Sequence, residues 1–120
     1  MNEVSERKAQ WWYALLLAAP RLDARERVNV GMCVGRGDRV ESMLWYEDLP
    51  RLAALVSHSE RAAYREMLRS IEQSLPCTLD ELRLRLGAQL VLEDPRLLYD
   101  TRPEVIARLC ATYCDAAPQR

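Results

Sequence analysis

Apolar and polar positions alternate with a period of two along the first third of the chain. Residues 11–19 are apolar on both alternating faces, which predicts a strand that is buried on both sides and ended by Pro20. Residues 28–34 alternate again, and the pattern places the three valines and Met32 on one face. Gly31 within this second strand predicts a bulge or the close approach of another element.

The next segment continues the same period. Residues 35–38 (GRGD) predict a turn, and residues 39–46 predict a third strand. Three strands joined by short connections favour an antiparallel meander. A fourth strand is predicted near residues 89–93, before the turn signal Asp94-Pro95.

After the third strand the apolar period changes to about 3.6, which is typical of amphipathic helices. A short helix is predicted over residues 47–56, with Pro50 in its first turn. Ser57 and Glu60 have the spacing of a capping box, so a second helix should begin there and continue to about Leu75.

The last third of the chain carries two more pairs with capping-box spacing. Thr78-x-x-Glu81 predicts a helical turn, although the segment 82–86 alternates as a strand would. Thr101-x-x-Glu104 predicts a final helix. The predicted class is therefore α+β, with an N-terminal antiparallel meander of three strands and a fourth strand packed against two to four helices.

Composition limits the classes of function. A chain of 120 residues predicts one domain, which we place at 11–115 between a flexible N-terminus (1–10) and a flexible tail (116–120). The formal net charge of −1 argues against nucleic-acid binding by overall charge. The longest apolar run is too short to cross a bilayer, so no membrane contact is expected. The four cysteines form no CxxC pair and are interpreted as free thiols, which places the protein in the cytoplasm.

Three stretches near the N-terminus carry a family resemblance. They are Tyr13-Ala14-Leu15-Leu16, Pro20, and Glu26-Arg27-Val28-Asn29-Val30-Gly31-Met32. This order resembles the opening of the domain-of-unknown-function family 3037, small proteins of bacteria and mobile elements that are at times encoded beside HipA-like kinases. The resemblance implies a partner-dependent regulatory role and no assigned chemistry.

The residues of this motif also have a structural interpretation. Glu26 and Asn29 are expected to hold the hairpin by local contacts rather than to form a ligand site. Gly31 is expected to let another backbone approach.

The sequence predicts neither an enzyme nor a metal or cofactor site. The only histidine, His58, falls at a predicted helix cap and is interpreted as solvated. Cys110 and Cys114 share a helix face, but no second close pair of ligands accompanies them. No catalytic residue and no cofactor is therefore assigned.

Bulky aromatic residues on the first and third predicted strands are the first candidate binding feature. A sheet of this size is not expected to bury all of them on one face, and Trp and Tyr dominate interface hot spots. The alternative is that they fill a core that has no phenylalanine. The residues are Trp11, Trp12, Tyr13, Trp45 and Tyr46.

A row of arginines is the second candidate. Arg61, Arg65 and Arg69 recur every four residues along the second predicted helix and would form a basic ridge. Such a ridge favours a regulator that binds nucleic acid, or else a solvated helix face interleaved with glutamates.

The main hypothesis is a non-enzymatic, cytoplasmic interaction and regulatory module. Its expected partner is a larger bacterial protein, in a defence, toxin–antitoxin or phage-encoded inhibitory complex. A homodimer is a further option. Binding of nucleic acid through the arginine row is the alternative function.

Overall fold

Within the described residues, six strands form one antiparallel sheet, and three helices pack against it. The structure, a computed structural model, describes residues 10–20 and 27–115. The strands are β1 (Trp11–Ala18), β2 (Val28–Arg36), β3 (Arg39–Leu44), β4 (Cys77–Thr78), β5 (Leu90–Leu92) and β6 (Arg96–Leu97). The helices are α1 (His58–Gln73), α2 (Leu79–Arg85) and α3 (Pro103–Cys114).

The predicted class and meander are confirmed. The strand order is β4-β3-β2-β1-β5, and β6 pairs with the same side of β1 as β5 does, nearer the start of β1. The predicted fourth strand is β5, whereas the two-residue strands β4 and β6 were not predicted. The terminal segments predicted to be flexible, 1–10 and 116–120, lie outside the described residues except for Gln10.

The central strand β1 is buried on both faces, as its sequence predicts. One face packs with α1 and α2, through residues such as Leu16, Tyr64 and Leu82. The other face packs with α3, through residues such as Leu15 and Cys110. Layers of helix on both sides explain why β1 is a continuous apolar run rather than an alternating one.

A bulge in β2 corrects the predicted faces of that strand. Leu16 pairs with Gly31 and Leu17 pairs with Asn29, so Val30 is an extra residue in β2. Because one extra residue inverts the alternation, Val30 packs on the α1 side while Met32 packs on the α3 side. The bulge that Gly31 predicts is therefore present. The prediction that the three valines and Met32 share one face is wrong.

The β2–β3 hairpin closes over a tryptophan from β1. Gly37 and Asp38 form the two-residue turn, and Gly37 has φ 64°, a backbone angle that favours glycine. The Trp12 indole lies over Gly35, its partner across the strands, where a side chain would overlap the ring. Trp12 Nε1 also donates to Gly37 O at 2.8 Å, so both packing and a hydrogen bond hold the indole.

The segment 47–56 is not a helix, and its prediction is wrong. It is a succession of turns, with bonds such as Leu52 N to Leu49 O at 3.0 Å. Leu49 precedes Pro50, and a residue before proline is pushed out of the right-handed helical region. Leu49 instead has φ 46° and buries its side chain in the core.

Two of the three predicted capping boxes are confirmed. Ser57 Oγ and Thr78 Oγ1 each accept from the backbone N–H three residues on, and the glutamate there bonds back. At the third site Thr101 does not cap. The helix begins after Arg102 with Pro103 in its first turn, and Arg102 makes no side-chain cap bond. Among the described residues no helix is long and apolar enough to span a bilayer.

Candidate interaction site

The five predicted aromatic residues divide between the two faces of the sheet. Trp12 is buried in the α1 side and Trp45 packs partly buried against the same side. The remaining three pack partly buried on the α3 side. They therefore do not form one patch, and only Trp45 and Tyr46 come together at a surface depression. Their role in binding stays a prediction.

That depression is a cleft of about 330 Å³, which we call the Trp45 cleft. Its floor is the end of β3 and the residues that follow. Its walls come from α1 and α3, which pack on opposite faces of the sheet. The lining residues are Met43, Leu44, Trp45, Tyr46, Glu47, Glu72, Ala107 and Cys110.

The Trp45 ring is held in place from α1. Its Nε1 donates to Glu72 Oε1 at 3.2 Å, and its ring packs against the core cluster beneath. Tyr46 continues the floor on the other side, where partial burial raises the pKa of its hydroxyl. The cleft therefore presents a fixed indole and a neutral phenol beside a carboxylate.

The loop after Tyr46 is tied to both helices. Arg65 Nη1 of α1 donates to Glu47 O at 3.4 Å. Arg51 Nη2, further along the loop, donates to Thr112 O of α3 at 3.4 Å. These bonds, together with the buried Leu49, hold the rim of the cleft against α1 and α3.

The β3 edge next to the cleft has no neighbouring strand in the part of the chain that the structure describes. β4 pairs only with Arg39 and Val40, and the residue that would stand opposite Glu41 is Pro76. The ladder stops there, because the chain enters β4 directly from α1, which ends at Gln73. From Glu41 onward, the outer edge of β3 offers backbone groups that no strand covers.

The predicted arginine row lies on α1, and its three members are half-buried. Arg69 is paired with Glu66 at 3.0 Å and with Glu47 by a short contact. Arg65 bonds the Glu47 carbonyl as described, and Arg61 Nη2 lies 3.4 Å from His58 Nδ1. The row is thus engaged with its own loop and helix, and its role in nucleic-acid binding stays a prediction.

The residues of the family motif are only partly described. Glu26 lies outside the described residues. Asn29 is half-buried in β2 opposite Leu17. A Cβ on Gly31 would come within 3.3 Å of Leu44 O, so the expected close approach is present and comes from β3. This approach places Leu44 and Trp45 at the floor of the cleft.

Free thiols occur on both faces of the sheet, and all four are buried. Burial raises the pKa of Cys33 to about 12, so this thiol is neutral at ordinary pH. On α3, the S–H of Cys114 bonds the sulfur of Cys110, which lowers the pKa of Cys110 and raises that of Cys114. Cys110 is the member that reaches the cleft.

His58 is exposed at the first position of α1, as predicted. Over residues 10–20 and 27–115, no cluster of three or more His, Cys, Asp or Glu side chains could hold a metal ion. The groups that the cleft presents are an indole, a phenol, carboxylates and backbone groups of the β3 edge.

Comparison of the chain with protein-family models, curated proteins and solved structures gave no match. The resemblance to the domain-of-unknown-function family 3037 accordingly stays a prediction. Sequence reasoning found Trp45 and Tyr46 but missed Glu72, Ala107 and Cys110, which come from distant helices. The alternation of the third strand gave no signal of them, because each reaches the cleft only through tertiary packing.

Proposed function

We propose that this chain is a non-enzymatic module that binds and regulates a larger bacterial protein, in a defence, toxin–antitoxin or phage-encoded inhibitory complex. The observation that carries the proposal is the Trp45 cleft at the uncovered edge of β3. The four free thiols fit the reducing cytoplasm that we propose for it.

The cleft has the composition of an interface anchor. Trp and Tyr are the residues most enriched at hot spots, and a half-buried ring can still bury area against a partner. Trp45 is held by its hydrogen bond to the carboxylate of Glu72. The rim of the cleft is held by arginine hydrogen bonds between the loop after Tyr46 and the helices α1 and α3. Fixing these groups before binding lowers the entropy cost of ordering them in a complex.

The arginine row does not favour the nucleic-acid alternative. Arg69 is neutralised by two carboxylates, and Arg65 is engaged with the carbonyl of Glu47. We therefore treat nucleic-acid binding as an outcome that the experiment can reveal.

Affinity capture with the full chain, followed by titration of the purified captured protein, tests this function. Trp45→Ala should weaken binding by at least tenfold, because truncation of a tryptophan hot spot typically costs 2 kcal/mol or more. Trp11→Ala is the matched control, since Trp11 is also a half-buried sheet tryptophan but lines no part of the cleft. It should change affinity less than threefold.

Thermal melts of both variants show whether each is folded, and Glu72→Arg gives a second variant at an exposed position. Equal affinities for the Trp45 and Trp11 variants would refute a role for the cleft. Capture of nucleic acid that depends on Arg65, with no protein partner, would replace the proposal by its alternative.

A further inference from the structure

The uncovered part of β3 has the geometry of a slot for one more strand. It runs from Glu41 through Leu44 and continues along Trp45 and Tyr46, which line the cleft. An extended segment of six residues, about 20 Å long at 3.3 Å per residue, would cover this length. Edge strands with unpaired backbone groups are the surfaces on which partners add a strand.

The walls of the cleft favour a strand over a helix as occupant. Glu72 lies on α1, whereas Ala107 and Cys110 lie on α3. These helices cover opposite faces of the sheet, so a strand added beside β3 would extend the sheet into the space between them. Its alternate side chains would then point to α1 on one face and to α3 on the other.

The charge of the cleft determines what the α1-facing side chain should be. Two carboxylates, Glu47 and Glu72, line the cleft and no basic side chain does. Glu47 is paired with Arg69. Glu72 accepts the indole N–H of Trp45 and makes no ion pair with any residue in the described ranges.

A lysine or arginine is complementary to this arrangement. Its aliphatic stem would lie along the Trp45 ring while its charged head reached the carboxylate of Glu72. On the α3 side, Ala107 leaves room beside Cys110 and Tyr46 for an apolar side chain.

A second copy of this chain is a poorer occupant. Pairing of two β3 edges would bring Glu41, Glu47 and Glu72 of both copies to one seam. Like charges placed across neighbouring strands are destabilising. The same carboxylates attract a basic segment.

We infer that the partner supplies an extended segment that adds a strand to β3 and places a lysine or arginine against Glu72 and Trp45. This inference rests on the proposed function and specifies the chemistry of its partner. The segment supplies the backbone bonds that β4 does not make to β3 beyond Val40. It is recognised by backbone pairing, one basic side chain and an apolar side chain on the opposite face.

Random dodecapeptides displayed on phage and selected on the immobilised full chain provide the probe. Enriched peptides should contain a lysine or arginine among β-branched or apolar residues. A synthetic copy of the most enriched peptide is then titrated by fluorescence anisotropy at low and high salt. On binding, amide hydrogen exchange should slow at those of residues 41–46 whose N–H groups face the uncovered edge, where the added strand would pair.

Glu72→Gln is the decisive variant, because the amide oxygen can still accept the Trp45 N–H while the charge is lost. Peptide affinity should fall about three- to tenfold at low salt and less at 0.5 M salt. Asp94→Asn is the matched control, since Asp94 is an exposed carboxylate beyond β5, at the opposite edge of the sheet. It should leave affinity unchanged.

Several results would overturn the inference. These are failure to select any peptide, enrichment without basic residues, equal affinity of the Glu72→Gln and Asp94→Asn variants, and exchange at residues 41–46 that slows with concentration in the free protein. The last result would identify a second copy as the occupant. If the captured protein still depends on Trp45 but not on the charge of Glu72, the proposed function stands and this inference falls.

Discussion

The most direct test of the fold is the contact between Trp12 and Gly35. A Cβ added to Gly35 would overlap three indole carbons, Cε2, Cζ2 and Cη2, because the ring lies flat across the glycine. The substitution Gly35→Ala therefore forces the indole to move. Trp12 is 6% exposed and donates to Gly37 O, so any movement removes buried contact and a hydrogen bond.

The size of the effect follows from what the ring loses. A tryptophan buries about 150–250 Å², which at about 25 cal/mol per Å² makes complete expulsion cost about 4–6 kcal/mol. Local repacking of an overfilled core costs about 1–3 kcal/mol. Because movement of the ring removes both buried contact and a hydrogen bond, we expect Gly35→Ala to lower the free energy of unfolding by about 3 kcal/mol.

A double-mutant cycle isolates this contact. In a Trp12→Leu background the ring that reaches Gly35 is absent, so Gly35→Ala should be neutral to within about 1 kcal/mol. Urea unfolding followed by circular dichroism measures all four proteins without depending on tryptophan emission. Gly87→Ala is the control, since Gly87 has φ 67° and open space around it, and its strain should cost the same in both backgrounds. Equal costs of Gly35→Ala in the two backgrounds would refute the steric argument.

Three further predictions concern charge, thiols and one helix. Hydrogen bonds from the Arg102 side chain and backbone N–H hold the pKa of Asp100 at about 2, below its ordinary value of 3.8, so this stabilisation is present above pH 3.8 and is lost as the pH falls towards 2. An NMR titration should show that midpoint rising in Arg102→Ala. Burial raises the pKa of Cys33 to about 12, so its alkylation by iodoacetamide at pH 8 should be no faster than unfolding; labelling at the rate of a free thiol would contradict this. Leu82 is 0% and Leu84 is 87% exposed, so in urea unfolding Leu82→Ala should cost about 2–5 kcal/mol and Leu84→Ala less than about 0.5 kcal/mol. Equal costs would indicate a strand, in which these two side chains would share one face.

Local chemistry explains which elements the sequence predicts well. The capping boxes at Ser57 and Thr78 form because donor and acceptor lie three residues apart and need no tertiary partner. The β2–β3 turn forms for a similar reason, since glycine alone readily adopts the backbone angle found at Gly37. The continuous apolar run of β1 likewise predicts burial on both faces from the strand period alone.

Tertiary effects explain the errors. An apolar stripe predicts a helix over 47–56, but Pro50 disfavours the right-handed helical conformation at Leu49, which has φ 46° and a buried side chain. Alternation predicts that the valines of β2 share one face of the sheet. The extra residue Val30 instead reverses which face the later residues of the strand point to. A bulge changes the meaning of every later position in a strand, and the sequence marks it only through Gly31.

The candidate site was predictable only in part, for a geometrical reason. Trp45 and Tyr46 could be named from residue type, because aromatic residues at the end of a strand are candidates for both core and interface. Glu72 could not, because its position beside Trp45 depends on where α1 crosses the end of β3. The two residues are 27 positions apart, and no local period links them.

The number of aromatic residues on the first and third strands suggests one exposed patch, but the structure arranges them differently. Helices pack on both faces of the sheet, so the five candidate aromatic rings divide between two layers. Only Trp12 of the five is buried. What then distinguishes Trp45 and Tyr46 from the rest is the strand edge beside them. β4 pairs only with Arg39 and Val40, because the chain enters it directly from the end of α1, and this leaves both rings next to an uncovered strand. The shortness of β4 thus leaves two core-type aromatics on the floor of the cleft that we propose a partner strand closes.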